Sequence, residues 1–239
     1  MYSSNAKSTF RSASTITLVL ALLSSQNGFT EESPNYSLGA TLGSTGIGLT
    51  ASSTTDWHWT QGDQIQWRLV ISGLSDNNND DIEFNSTDYV KGDISLFNVQ
   101  AGVDWYPFHG WADKVFLSGG LMYTDFEFDG VADNRKSFSV GGKRVNQGDI
   151  TSLRTEVEQD GFAPYISVGW GNKLQDKRGF DFQAEIGLVM PTSDPDVKVT
   201  AVDPGNFLTA KNLADERREI EDDLDGIGAF VMASVVYHF

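Results

Sequence analysis

The sequence ends Ile227-Gly228-Ala229-Phe230-Val231-Met232-Ala233-Ser234-Val235-Val236-Tyr237-His238-Phe239. Successive side chains of a β-strand point to opposite faces. Ile227, Ala229, Val231, Ala233, Val235, Tyr237 and Phe239 therefore share one face and form an unbroken apolar row. Gly228, Phe230, Met232, Ser234, Val236 and His238 share the other face. The stretch predicts a single long strand that needs apolar surroundings along the whole of one side.

The same alternation recurs upstream. Phe180, Phe182, Ala184, Ile186, Leu188 and Met190 oppose Asp181, Gln183, Glu185 and Gly187. Phe97, Val99, Ala101, Val103 and Trp105 oppose Asn98, Gln100, Gly102 and Asp104. Ile65, Trp67, Leu69 and Ile71 oppose Gln66, Arg68 and Ser72, and Pro164, Ile166, Val168 and Trp170 oppose Tyr165, Ser167 and Gly169. Val115, Leu117, Gly119, Leu121 and Tyr123 make a further row. Near the start, Tyr36, Leu38, Ala40 and Leu42 alternate, and Ile47, Leu49 and Ala51 follow after the turn Gly43-Ser44-Thr45-Gly46. The count is eight strands.

A soluble sandwich also alternates, so the polar rows decide between the two. They carry Gly, Ser, Asn and Gln with only Arg68, Asp104, Asp181 and Glu185 charged. A face turned to bulk water would carry more Lys and Glu, whereas a narrow lumen takes small residues and a few paired charges. The connections agree. Thr54 to Gly62, Pro107 to Asp113 and Asn172 to Arg178 are short; Ser75 to Gly92, Asp129 to Asp160 and Thr192 to Asp225 are long, and the two kinds alternate. That asymmetry belongs to membrane barrels with short periplasmic turns and long external loops. Trp57, Trp59, Trp105, Trp111 and Trp170 fall in or beside the short turns, where amphipathic rings suit a membrane interface; Trp67 alone lies mid-strand. The expected fold class is all-β: an eight-stranded antiparallel transmembrane up-and-down barrel, with one short helix in the last loop. That helix is expected between Asn206 and Leu224, with Leu213, Ile220 and Leu224 on one face and Glu216, Arg217, Arg218, Glu221 and Asp222 on the rest, packed on the barrel mouth or loops.

The remaining composition is compatible with this reading. Lys7 and Arg11 precede a short apolar run, Ile16 to Leu23. The run is too short for a bilayer span, which takes ~20 residues, and reads as a secretory signal over residues 1–26, with the barrel over 34–239. The alternative is a disordered N-terminus with a chance apolar run. The chain has no Cys, so an exported protein of this kind needs a closed sheet or large core to hold it. With 33 Asp and Glu against 17 Lys and Arg, it lacks the basic footprint of a nucleic-acid binder. A mean hydropathy of −0.28 does not oppose a membrane barrel, because only alternate residues meet lipid.

The terminal strand resembles the assembly signal of bacterial outer-membrane proteins, through Phe239 with Tyr237 and Val235 at alternating positions before it. The resemblance implies a strand read by the barrel-assembly machinery. The middle of the chain resembles a family of small proteobacterial outer-membrane barrels, mostly without assigned roles. Asp104-Trp105-Tyr106-Pro107-Phe108, Leu117-Ser118-Gly119-Gly120, Ala163-Pro164-Tyr165 and Gly169-Trp170-Gly171-Asn172 carry it. It implies architecture and an outer-membrane location, and it brings no substrate.

Catalytic patterns are sparse. His58, His109 and His238 lack the spaced partners of a zinc site. Asp76-Asn77-Asn78-Asn79-Asp80-Asp81 opens like an EF-hand, but Asp81 stands where Gly is needed and Thr87 where Glu is needed. No Gly-x-Ser-x-Gly elbow occurs, nor the His-x-Ser arrangement that lipid A deacylase barrels resemble. No enzyme, cofactor or metal site is expected. The candidate site is a lumen charge cluster of Arg68, Glu185, Asp181 and Asp104, because a charge in a narrow barrel is costly unless paired. One reading has Arg68 pairing with a carboxylate to close the lumen; the other leaves each charge solvated by lumen water. The expected function is a structural or interaction scaffold with a largely filled lumen and acidic loops. The alternative is a small porin-like pore or carrier for small or apolar solutes, for which Gly39, Thr41, Gly48, Thr50, Gly102, Gly120 and Gly169 keep the inner face small. Expected partners are outer-membrane lipid, lipopolysaccharide and the assembly machinery, with the protein itself a monomer.

Overall fold

A computed structural model describes residues 35–60, 63–76, 82–84, 87–132, 135–171, 173–174, 178–224 and 226–239. The proposed leader and residues 77–81 of the EF-hand-like stretch lie outside them.

The first strands are β1 (Tyr36–Gly43), β2 (Gly46–Thr54) and β3 (Gln64–Asp76). A short β4 (Ile82–Phe84) precedes β5 (Thr87–Tyr106) and β6 (Val115–Ala132). A small hairpin, β7 (Phe138–Val140) with β8 (Lys143–Val145), separates β6 from β9 (Ser152–Trp170). Then come β10 (Gly179–Val189), β11 (Asp196–Val202), a helix α1 (Ala210–Leu224) and β12 (Gly228–His238).

Antiparallel pairing runs β1-β2-β3-β5-β6-β9-β10-β12, and β12 returns to β1 with Ser37 opposite His238 and Gly43 opposite Met232. The sheet is a closed eight-stranded barrel. The chain ends are tied as well: Phe239 donates its amide to the Tyr36 carbonyl at 2.9 Å. Closure leaves no strand edge at membrane depth, which a bilayer demands.

The outward rows are those expected. Leu42, Ile47, Leu69, Leu121, Ile166, Phe180, Ile186, Val231 and Val235 are exposed on the outer wall. Their inward neighbours Thr41, Ser72, Gln100, Gln183 and Ser234 are buried. A closed barrel with an apolar outside and a polar inside is a membrane barrel of the outer-membrane type, and the chain is one. Ile65 is an exception on the outer row: it is buried, because Thr55 bonds the Ile65 carbonyl through both its amide and its hydroxyl and brings the following turn up against it.

The second long external connection proves to be largely β-structure, and the third holds β11 and α1. β5, β6 and β9 are 20, 18 and 19 residues long, while β1 and β2 are 8 and 9. The upper half of β9 leaves β10 and pairs with β11, Ser152 opposite Val202 and Glu158 opposite Asp196. Polarity inverts along these strands without any change of face. Below, Leu121, Tyr123, Phe162 and Ile166 point outward. Directly above, Asp125 pairs across to Asp160, Glu127 to Glu158 and Asp129 to Glu156 on the same outward face. The inward row turns apolar at the same height, with Phe126, Phe128, Leu153 and Val157. Outside the membrane water takes the outer face and an apolar core takes the inner one.

That core also holds Val197, the hairpin residues Phe138, Val140 and Val145, and Ile220 of α1, with Leu213 and Leu224 packed against it. Thr209 and Asn212 cap the helix reciprocally: Thr209 Oγ1 accepts from the Asn212 amide at 3.3 Å, and Asn212 Oδ1 accepts from the Thr209 amide at 3.1 Å. Glu216, grouped on sequence grounds with the charged residues away from the apolar face of α1, is buried, and its carboxylate accepts the Gly141 amide at 2.6 Å. Burial pushes the Glu216 carboxyl above its ordinary range. Gly141 sits at φ 52°, where a Cβ would lie 2.1 Å from the Asn212 carbonyl, so the hairpin turn can approach the helix only as glycine.

Candidate functional site: the lumen charge cluster

Arg68 on β3 and Glu185 on β10 stand on opposite walls of the barrel, four strands apart in either direction around it. Their side chains form an ion pair, Arg68 Nη1 to Glu185 Oε2. Arg68 Nη2 lies 3.2 Å from Asp104 Oδ1 and donates to Ser118 Oγ at 3.2 Å. One guanidinium thus touches β3, β5, β6 and β10. All three charged side chains are almost fully buried, with 3% exposure or less.

The surrounding contacts hold the group in place. Glu185 Oε1 accepts from Ser167 Oγ at 2.5 Å. Ser118 Oγ lies 3.4 Å from the Tyr165 hydroxyl. Gln66 donates to the Tyr106 hydroxyl at 2.9 Å and to Asp104 Oδ2 at 3.5 Å. The Phe116 ring lies under the guanidinium at 5.3 Å, and the Tyr106 ring packs against Phe116 at 5.4 Å, tilted by 48°. Asp181, grouped with these residues on sequence grounds, is half-buried nearer the periplasmic end, opposite Val236, and is not among the ion-pair partners of Arg68.

Above this polar layer Val70, Met122, Tyr165, Phe230 and Met232 form a buried apolar cluster. The inner glycines do not leave open space beside it. A Cβ on Gly102 would meet the Tyr165 hydroxyl at 2.0 Å, on Gly169 the Phe116 Cζ at 2.1 Å, and on Gly187 the Phe230 ring at 2.5 Å. Aromatic side chains occupy the hollows that the glycines create. At the periplasmic end Leu174, in the β9–β10 turn, is 1% exposed, and neighbouring Lys173 reaches to 6.0 Å from the inward Tyr106 ring. Sequence reading missed Leu174, since a lone apolar residue in a short polar turn carries no periodicity.

The tryptophans gather at the same end. Trp57 packs edge-on against Trp67 at 5.6 Å, and Trp59 against Trp105 at 5.2 Å. Trp111 is nearly fully exposed, and Lys114 lies over Trp170 at 5.2 Å. Asp63, also missed in the sequence, organises this patch. Its buried carboxylate accepts from Trp105 Nε1 at 2.8 Å and from the amides of Thr60 and Trp59 at 2.9 and 3.0 Å. His58 Nδ1 lies 3.4 Å from its second oxygen. Burial alone would raise this carboxyl, but the donors from Trp105, Thr60 and Trp59 outweigh it and hold the group down at about 2. At the barrel seam Val235 and Tyr237 point outward beside Phe180 and Phe182 of β10, and the Tyr237 ring contacts both Phe180 and Phe239, at 5.1 and 5.0 Å.

Among the described residues no group of three or more His, Cys, Asp or Glu is arranged to hold a metal ion. No family model and no curated protein matches the chain. Solved structures share its fold, among them two from one organism. Acinetobacter baumannii CarO superposes with a TM-score of 0.60 at 20% identity, covering 86% of this chain and 98% of that one. Acinetobacter baumannii CarO2 gives 0.59 at 19% identity, covering 87% and 100%.

Proposed function

We propose that this outer-membrane barrel is a closed scaffold that displays an acidic external domain and passes no solute through its lumen. The observation that carries the reading is the buried Arg68–Glu185 pair spanning the barrel from β3 to β10, with Asp104 and Ser118 held to the same guanidinium. A buried ion network of this kind is stable only when its members stay together. The aromatic side chains over Gly102, Gly169 and Gly187 support it by filling the hollows that these glycines leave in the inner wall. On the outside, the carboxylates of β6 and β9 form the displayed face. In this reading the partners are membrane lipid and lipopolysaccharide around a monomeric barrel, and the assembly machinery engages Val235, Tyr237 and Phe239. No reaction is part of the proposal.

Single-channel recording of the refolded protein in planar bilayers tests it. A silent bilayer is expected. Steady conductance favouring cations would overturn the reading and favour the porin-like alternative.

A further inference from the structure

Gly141, in the turn between β7 and β8, is held by side chains of α1 at both its amide and its carbonyl. The amide donates to the Glu216 carboxylate at 2.6 Å, and the carbonyl accepts from Asn212 Nδ2 at 3.5 Å. Beside it Lys143 donates to the Phe207 carbonyl, just ahead of α1, and lies over the Phe207 ring at 3.8 Å. Of these contacts only the one through Glu216 buries a carboxylate. Glu216 is 6% exposed and shares a face of α1 with Ile220, which enters the apolar core beside Phe138, Val140 and Val145.

The charges around Glu216 offer it no cation. On α1 itself Lys211 pairs with Asp215, Asp215 with Arg218 and Arg217 with Glu221, which leaves the like charge of Glu219 acting on Glu216. On the hairpin Lys143 is taken up by Phe207, and Arg144 is exposed beside Ser139. Ahead of the helix Asp203 accepts the Leu208 amide. Asp196 and Lys198 of β11 pair with each other in solvent, as Arg154 does with Asp129 and Glu156 on the outer face of β6 and β9. The contrast with Asp63 is informative. Three donors hold the buried Asp63 carboxyl down, whereas one amide serves Glu216, and burial raises it. Proton uptake by Glu216 removes the cost of a buried charge, and the carbonyl oxygen of the neutral acid can still accept the Gly141 amide.

We propose that Glu216 is a pH-sensitive latch: proton uptake from an acidic medium tightens α1 against the β7–β8 hairpin, and loss of that proton loosens it. An acid that is harder to ionise folded than unfolded adds most stability below its unfolded value. It loses that contribution as pH rises through the folded one. Both partners belong to the external domain, so the latch meets the pH of the medium directly. What it loosens is the cover over the apolar core that holds Phe128, Leu153 and Val157. The latch goes beyond the scaffold reading and does not depend on whether the lumen conducts.

Hydrogen exchange read by mass spectrometry on the refolded full chain tests it between about pH 8 and pH 5. Each amide is expressed as a protection factor, its exchange rate relative to an unstructured peptide at the same pH. In the wild type the protection of α1 and the hairpin should rise on acidification, by at most about tenfold per pH unit, the limit for one proton. The paired amides of β1 and β12 should not follow. Glu216→Gln keeps an acceptor for Gly141 and cannot ionise, so α1 should be well protected at every pH and the rise should vanish. Glu219→Gln removes the neighbouring charge and should move the rise to lower pH without abolishing it. A flat or falling wild-type profile, a rise shared equally by β1 and β12, or a Glu216→Gln protein with the wild-type slope overturns the proposal. Should Glu216→Gln fail to fold, Glu219→Gln decides: loss of its rise, or a rise left in place, overturns the latch.

Discussion

Arg68 and Glu185 are 117 residues apart in sequence and meet across the full width of the lumen. The contact joins the third and seventh strands of the barrel, so it braces the wall along a diameter. Removing one partner leaves the others buried and uncompensated. Arg68→Ala is expected to cost about 3–5 kcal/mol, read from urea unfolding of the refolded barrel by tryptophan fluorescence. The triple change Arg68→Met, Asp104→Asn, Glu185→Gln removes the charges together and is expected to recover much of that loss. If Arg68→Ala leaves both bilayer conductance and unfolding unchanged, the brace has no role.

Gly169 and Phe116 are coupled by shape. A methyl group at Gly169 enters the Phe116 ring, which is also the ring beneath Arg68. Gly169→Ala is expected to destabilise the barrel by about 1–3 kcal/mol through overpacking. Phe116→Leu vacates the space, so the double variant should lose less than the two single losses combined. Strict additivity would show that the ring does not fill the glycine hollow.

Asp63 gives the periplasmic turn a pH dependence of known sign. Its carboxyl is depressed from the ordinary 3.8 to about 2 by the donors around it. A depressed acid stabilises the folded state above the unfolded value and loses that contribution as pH falls through the folded one. The stability difference between wild type and Asp63→Asn should therefore be full above pH about 4 and shrink as pH falls towards 2. Emission from Trp59 and Trp105 should shift to the red in the variant at neutral pH. A difference that stays constant from pH 7 to 2 would show that the charge of Asp63 contributes nothing.

The strand rows were legible because lipid imposes a strong rule on alternate residues, and Ile227 to Phe239 obeys it throughout. Above Tyr123 on β6 and Phe162 on β9 the same faces continue with inverted polarity. The apolar positions pass from Leu121 and Tyr123 to Phe126 and Phe128, which to the eye is a broken pattern rather than a strand leaving the membrane. That is why the upper halves of β6 and β9, and the whole of β11, read as loop. The charge cluster was legible in part. Alternation places Arg68, Asp104, Asp181 and Glu185 on the inner face, but only the barrel's stagger decides that Arg68 reaches Asp104 and Glu185 and not Asp181. The burial of Glu216 was not legible because a buried acid on a helix is anticipated only when its partner, here the Gly141 amide from a distant hairpin, is known.

The external core is separate from the barrel's own closing pairs, and the two should fail separately. Ile220 is 1% exposed within the cluster of β6, β9, β11 and the β7–β8 hairpin. Ile220→Asp buries a charge there and is expected to free α1 for cleavage by an added protease. The pairing of β12 with β1 and β10 does not involve that core. The variant should therefore keep the difference in gel mobility between unboiled and boiled samples that marks a folded barrel. Loss of that difference would show that the external core is needed for closure.

Phe239 combines two contributions that one substitution can divide. Its backbone amide ties the chain end to Tyr36, and its ring rests edge-on against Tyr237. Phe239→Ala keeps the amide bond and removes only an exposed ring, so refolding into detergent should proceed to the same folded fraction as wild type. The resemblance of Val235, Tyr237 and Phe239 to an assembly signal makes a different demand in the cell. There the ring would be recognised before closure, and its loss should lower the amount of protein in the outer-membrane fraction several-fold while refolding is unaffected. Quantitative immunoblotting of membrane fractions beside a refolding assay separates the two. Equal amounts in the membrane would leave the terminal aromatic with a packing role alone, and a parallel drop in refolding would make it a stability residue rather than a signal.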